Sequence, residues 1–186
     1  MNFHVAFRNH LLGLKNGDLM VAAYNAYKQA DDMFAYTLNG CLKGGHEVPE
    51  NVLAQATNLI HAIRATNTAP LTLYRMTSDK EFCGPIFPAI RAEPFRYPAF
   101  LSTSGRNDNL GNFVPSSGNP LLLEIRCPTG TTMALLEADG GLEDEYLLGE
   151  GTQFRVVEYG QIIEASESAA LTRRDPEGVQ MFRLIL

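Results

Sequence analysis

The sequence predicts an α+β domain, with helices first and strands afterwards, and two observations carry that reading. Up to Pro70, apolar residues recur at helical spacing and the only proline is Pro49; beyond it come short apolar runs of period two, punctuated by Gly and Pro. The strand-like runs do not alternate with helices, so the sheet is expected to be antiparallel or mixed rather than built of repeated βαβ units. A chain of 186 residues fits one domain, with a mostly helical part over 1–70 and a strand-rich part over 71–186.

Taken in order, Met1–Leu14 contains His4, Arg8 and His10, which interrupt any apolar run and speak against a signal peptide. Asp18 through Asn39 reads as one helical stretch with Tyr24, Tyr27, Phe34 and Leu38 on one apolar side, stopped by Gly44-Gly45. Val52, Ala56, Leu59, Ile60 and Ile63 give a second helix one buried face, with Pro49-Glu50 at its start and Pro70 as its limit. Strands are expected at Leu71–Met76, Ala99–Ser102, Leu121–Arg126, Thr131–Leu136, Glu145–Leu148, Gln153–Tyr159 and Gln180–Leu186. Val156, Val157 and Tyr159 read as core.

Composition excludes several classes of function. Charged residues are 19% of the chain, below the typical ~25%, which argues against disorder. With 21 acidic and 15 basic residues the net charge is −6, the wrong sign for phosphate neutralisation or a polybasic membrane anchor. Cys41, Cys83 and Cys127 are isolated, and the four histidines form no compact ligand pattern, so neither a disulfide framework nor a metal site is expected. Cys127 reads as a buried strand residue. No uncharged apolar run is long enough to span a membrane, and a soluble protein is expected. No GxGxxG or Walker-type loop occurs.

Three features could carry chemistry. Arg75 sits in the strand Leu71–Met76 on the face of Leu71 and Leu73. A guanidinium there calls for a carboxylate, as in a structural salt bridge, or for a ligand phosphate. Phe100-Leu101-Ser102-Thr103-Ser104-Gly105 is a hydroxyl-rich end to an apolar strand, readable as a turn or helix cap. In Glu143-Asp144-Glu145-Tyr146-Leu147-Leu148, an extended backbone puts Glu143 and Glu145 on one side. Like charges so placed repel unless a cation, a shared proton or a substrate resolves them. Such a pair suits chemistry at a glycosidic carbon, or is a solvated acidic loop.

In this order the three resemble the mono-ADP-ribosyltransferase family of bacterial toxins and effectors, in its Arg / Ser-Thr-Ser / Glu-x-Glu branch. The matching pieces are Leu73-Tyr74-Arg75, Phe100–Ser104, and Leu142–Leu148 running into Gly151-Thr152-Gln153-Phe154-Arg155-Val156. Asn39-Gly40-Cys41-Leu42-Lys43 resembles the family's Ile-Asn-x-x-Leu-Arg helix end. The likeness spans roughly residues 20–186.

The resemblance implies an ADP-ribosyltransferase-like split β-sandwich of two sheets around an NAD cleft, with N-terminal helices alongside. NAD+ would be the substrate, with no metal. Arg75 would hold its diphosphate, and Ser102, with Thr103 and Ser104, would position the nicotinamide ribose and the catalytic glutamate. Glu145 would bond the ribose 2′-hydroxyl and stabilise the oxocarbenium-like sugar. Glu143 would orient or deprotonate an acceptor arginine, whose pKa lies above about 12. Phe113 would stack on nicotinamide, with ordinary core as the alternative. Tyr24, Tyr27 and Tyr36 are core positions or reach the adenosine. The implied activity is that of a NAD+–protein-arginine ADP-ribosyltransferase, a secreted virulence effector or toxin delivered by specialised secretion and active in the cytosol of a target cell. Its partner would be a target protein, with room for an immunity protein or chaperone; membrane and nucleic acid are not expected. NAD+ glycohydrolysis, ADP-ribosylation of nucleic acid and a non-catalytic binding module are the alternatives. The loop Glu137–Gly141 lacks the aromatic that several family members use against a protein substrate.

Overall fold

Apolar spacing folds the start of the chain into helices α1 (Phe3–Leu12), α2 (Gly17–Gln29), α3 (Phe34–Gly44) and α4 (Glu50–Ala62). There follow β1 (Ala65–Thr66), β2 (Leu71–Ser78), the short helix α5 (Asp79–Phe82), β3 (Phe95–Arg96), β4 (Leu101–Ser104), β5 (Pro120–Cys127) and β6 (Thr132–Ala134). The last strands are β7 (Glu145–Leu148), β8 (Gln153–Phe154), β9 (Glu158–Gln161) and β10 (Phe182–Ile185). This computed structural model describes residues 3–29, 31–67, 69–82, 94–108, 110–135, 144–161 and 182–185. The chain divides into two compact units, one of Met1–Ala69, Tyr97–Ser102 and Thr129–Thr152, the other of Pro70–Arg96, Thr103–Pro128 and Gln153–Leu186.

The first unit packs helices on the strands β1, β6 and β7. α2 buries Met20, Val21, Ala23, Tyr24 and Tyr27, and α4 buries Val52, Ala56, Leu59 and Ala62, each set following one helical stripe. Phe100, Ala134 and Leu147 complete that core from the strand side. β6 pairs antiparallel with β1 (Ala65↔Met133) and with β7 (Met133↔Leu148). α3 ends in a left-handed Gly45 (φ 65°), where His46 N–H bonds the Cys41 carbonyl and Gly45 N–H that of Leu42. This is a Schellman closure, and it confirms Gly44-Gly45 as the stop.

The second unit is centred on β5, buried from Pro120 through Leu123. β2 runs antiparallel to it from Leu71↔Cys127 to Ser78↔Pro120, and Tyr74 on β2 pairs with Ser104 of β4. β10 lies parallel to β5 and antiparallel to β9, so the sheet is mixed. Met76, Leu110 and Leu122 pack together with Tyr74 and Val114. β3 and β8 make a separate ladder with Phe95 against Phe154 at 5.7 Å.

Several expectations change. Asp18–Asn39 is two helices, because Asp32 (φ 47°) and Met33 (φ 60°) take left-handed backbone, which a right-handed helix cannot contain. The expected strand Gln153–Tyr159 is interrupted at 155–157, and Val157 is exposed. Ile60 points outward rather than into the α4 stripe. The turn reading of Ser102-Thr103-Ser104 gives way to strand, since all three lie in β4.

Candidate active site

Glu145 opens β7 and is 5% exposed. A carboxylate this buried must have its charge compensated by donors. Ser102, in the strand β4, donates its hydroxyl to Glu145 Oε1. Tyr24 donates its phenol to Oε2 at 2.9 Å, and the Lys28 ammonium lies 3.1 Å from the same oxygen. Tyr24 and Lys28 are one turn apart on α2, so helical spacing delivers both to one point. A carboxylate oxygen accepts about two hydrogen bonds; among the described residues Oε2 has Tyr24 and Lys28 as donors and Oε1 has Ser102. The group can therefore hold a substrate hydroxyl while presenting negative charge from a fixed position.

The neighbouring contacts brace this arrangement. Asn39 donates to the Tyr27 hydroxyl at 2.7 Å and accepts from the Phe100 backbone N–H at 3.1 Å, fixing the strand just before Ser102. Lys43, from the same helix-end motif, stands over the Tyr97 ring at 5.5 Å. After β7, Gly151 (φ 70°) turns the chain so that its N–H reaches the Tyr97 carbonyl at 2.8 Å, and Tyr97 N–H bonds the Thr152 carbonyl at 3.0 Å. The Gly-Thr of the sequence motif is thus a structural clasp. On the other side of Glu145, His4 of α1 bonds the Leu135 carbonyl through Nδ1 at 2.8 Å and Asp144 Oδ1 through Nε2 at 2.9 Å.

Arg75, Thr103, Ser104 and Phe113 lie in the second unit. Arg75, half-buried in β2, has Nη2 3.9 Å from Glu81 Oε2 of α5, and Glu81 also accepts from the Thr77 hydroxyl. The carboxylate anticipated for a structural pairing of Arg75 is therefore present. Thr103 and Ser104 are buried, the latter accepting the Arg106 backbone N–H at 3.0 Å. Arg106 forks onto Asp108, with Nε 2.9 Å from Oδ1, and this hydrogen bonding holds Asp108 below the ordinary carboxylate value. Phe113, in a 3-10 turn over Leu110–Phe113, is 48% exposed and so is not core. Glu143 and the loop Glu137–Gly141 lie outside the described residues.

Sequence reasoning had Tyr24 as core or an adenosine contact; its ring is core, and its hydroxyl serves Glu145. It missed Lys28, which lies on the helix face of Tyr24 four residues on and was legible as that. His4, Glu81 and Asp144 as partners carried no sequence signal, being made by distant segments.

No family model and no curated protein matches the sequence. Solved structures do. The enzymatic component of the C2-toxin from Clostridium botulinum is 14% identical with a TM-score of 0.68, over 90% of this chain and 42% of its own. An ADP-ribosyltransferase toxin from Paenibacillus larvae is 16% identical with a TM-score of 0.67, over 98% of this chain and 91% of its own. The ADP-ribosylating component of a C. perfringens binary enterotoxin, solved with NADH, is 15% identical with a TM-score of 0.69, over 94% of this chain and 44% of its own. The chain thus spans less than half of the C2-toxin and C. perfringens enterotoxin components and nearly all of the Paenibacillus protein. At these identities the likeness is one of fold, and the α+β fold of this chain is that of the ADP-ribosyltransferase toxins.

Proposed function

We propose that this chain, with its ADP-ribosyltransferase toxin fold, is a single catalytic domain that transfers ADP-ribose from NAD+ to an arginine of a target protein. The observation that carries the reading is the Glu145 carboxylate, buried and held by Ser102, Tyr24 and Lys28. The bond between nicotinamide and ribose C1′ breaks with its electron pair going to the pyridinium nitrogen, so neutral nicotinamide leaves without a general acid. The sugar is left cationic, and a fixed carboxylate on its 2′-hydroxyl stabilises that charge most in the transition state. A guanidine nitrogen of the acceptor then bonds C1′ and loses a proton, for which Glu143 is the proposed base.

Arg75 is proposed for the NAD+ diphosphate, whose paired oxygens suit a guanidinium fork, with Thr103 and Ser104 also against NAD+. Phe113 is proposed to stack on nicotinamide, and its exposure supports that over a core role. We further assign the protein as a bacterial toxin or effector, secreted and acting in the cytosol of a target cell on a protein partner. The deciding experiment incubates the protein and Glu145→Gln with labelled NAD+ and cell lysate. Glu145-dependent label that survives nuclease and disappears with protease is expected. Label lost to nuclease, or nicotinamide released with nothing labelled, would overturn the protein-directed reading.

A further inference from the structure

We propose that His4 is a positioning residue for the Glu145 carboxylate, acting through Asp144; the inference rests on the catalytic reading of Glu145. Asp144 is not glycine, yet its φ is 48°. Backbone of that kind is unfavourable for a residue with a Cβ unless its surroundings hold it, although Asp and Asn tolerate it better than most. The His4 ring is one of the groups that hold it. Nε2 is 2.9 Å from Asp144 Oδ1 while Nδ1 is 2.8 Å from the Leu135 carbonyl, and the ring stands edge-on to Tyr146 at 5.6 Å. Both partners are oxygens; a neutral ring donates to one of them and a protonated ring to both.

One side chain of α1 thereby ties the chain just after β6 to the residue that feeds β7. It grips β7 from both sides of Glu145, at Asp144 by hydrogen bond and at Tyr146 by ring contact. The His4 side chain is 12% exposed, so water competes weakly for these bonds. Glu145 leaves this turn with its carboxylate already aimed at Ser102 and Tyr24. Loosening the turn would let the carboxylate drift without removing any group that touches it.

The test combines nicotinamide release with hydrogen–deuterium exchange of the β7 amides, in the full chain. His4→Ala and Asp144→Ala are each expected to lower kcat about 10- to 100-fold. The double variant should lose less than the sum of the two single changes, because the His4–Asp144 bond is common to both. NAD+ affinity, measured by calorimetry, should stay within about twofold, since the change acts on transition-state alignment. Asp144→Asn, which tolerates the same backbone and still accepts from His4, should restore most of the rate. Amides of Glu145–Leu148 should exchange faster in His4→Ala than in the parent. Unchanged kcat in His4→Ala, or a loss appearing wholly as weakened NAD+ binding, overturns the proposal. If the parent protein releases no nicotinamide, the catalytic reading fails instead. The exchange result then decides whether His4 positions β7: faster exchange retains that role, and unchanged exchange removes it.

Discussion

Taking a carboxylate out of water costs several kcal/mol unless donors replace the lost hydration, and Glu145 has three. Each can be removed separately. Tyr24→Phe deletes the bond to Oε2 and keeps the buried ring, so packing survives; a bond to a charged group is worth about 1.5–3 kcal/mol. Nicotinamide release should fall about 10- to 100-fold with little change in NAD+ affinity, read by steady-state kinetics and calorimetry. Lys28→Met leaves the carboxylate without its counter-charge, for which about 3 kcal/mol of stability should be lost in urea titration. Lys28→Met/Glu145→Gln should recover much of that, because the uncompensated charge has gone. Cys127 supplies the pH test. Burial pushes its thiol up to about 11 from an ordinary value of 9.0. The unfolded chain therefore gives up this proton first, and stability should fall as pH rises from about 9 to 11. Cys127→Ala should flatten that slope in denaturation midpoints.

Between elements, close approach decides more than propensity. Gly17 begins α2 where it meets the end of α1, and a Cβ there would lie 1.7 Å from the Leu11 carbonyl oxygen and 2.6 Å from its carbon. These are backbone atoms, so the two helices would have to part. Gly17→Ala should lower stability by roughly 3 kcal/mol or more. Gly40, inside α3, is the opposite case: a Cβ there would meet nothing within 4 Å, and Gly40→Ala should raise stability by about 0.5–1 kcal/mol. Thermal or urea unfolding of the pair checks both signs. The same scale explains what the pattern could not reveal. Tyr24, Tyr27, Phe34 and Leu38 continue one apolar side across 31–33, because α3 resumes the stripe after a break that only the backbone of Asp32 and Met33 records. Conversely β7 was legible to the residue, since Glu145-Tyr146-Leu147-Leu148 alternates in burial as a strand should, apart from its buried end.

At the scale of the whole molecule, the substrate proposed for the chain should act as a stabilising ligand. NAD+ should raise the melting temperature, with the shift growing as RT ln(1 + [L]/Kd). Glu145→Gln should keep that shift, while Arg75→Ala should weaken binding by about 2–4 kcal/mol and lose most of it. An equal loss in both variants would mean that the diphosphate and transition-state roles are wrongly divided. The sequence alone placed helices ahead of strands, because alternation and helical spacing are local consequences of which face must leave water, and it singled out Ser102 and Glu145. It also held the ADP-ribosyltransferase resemblance in short motifs. Only the tertiary structure decided that Lys28 faces Glu145, that Asn39 holds the strand before Ser102, and that His4 bonds Asp144. It alone divided the chain into two units, each assembled from three separate stretches. Contacts between segments more than a hundred residues apart, such as His4 with Asp144 or Tyr24 with Glu145, have no period to betray them. They exist because burial brings polar groups together that must then satisfy one another.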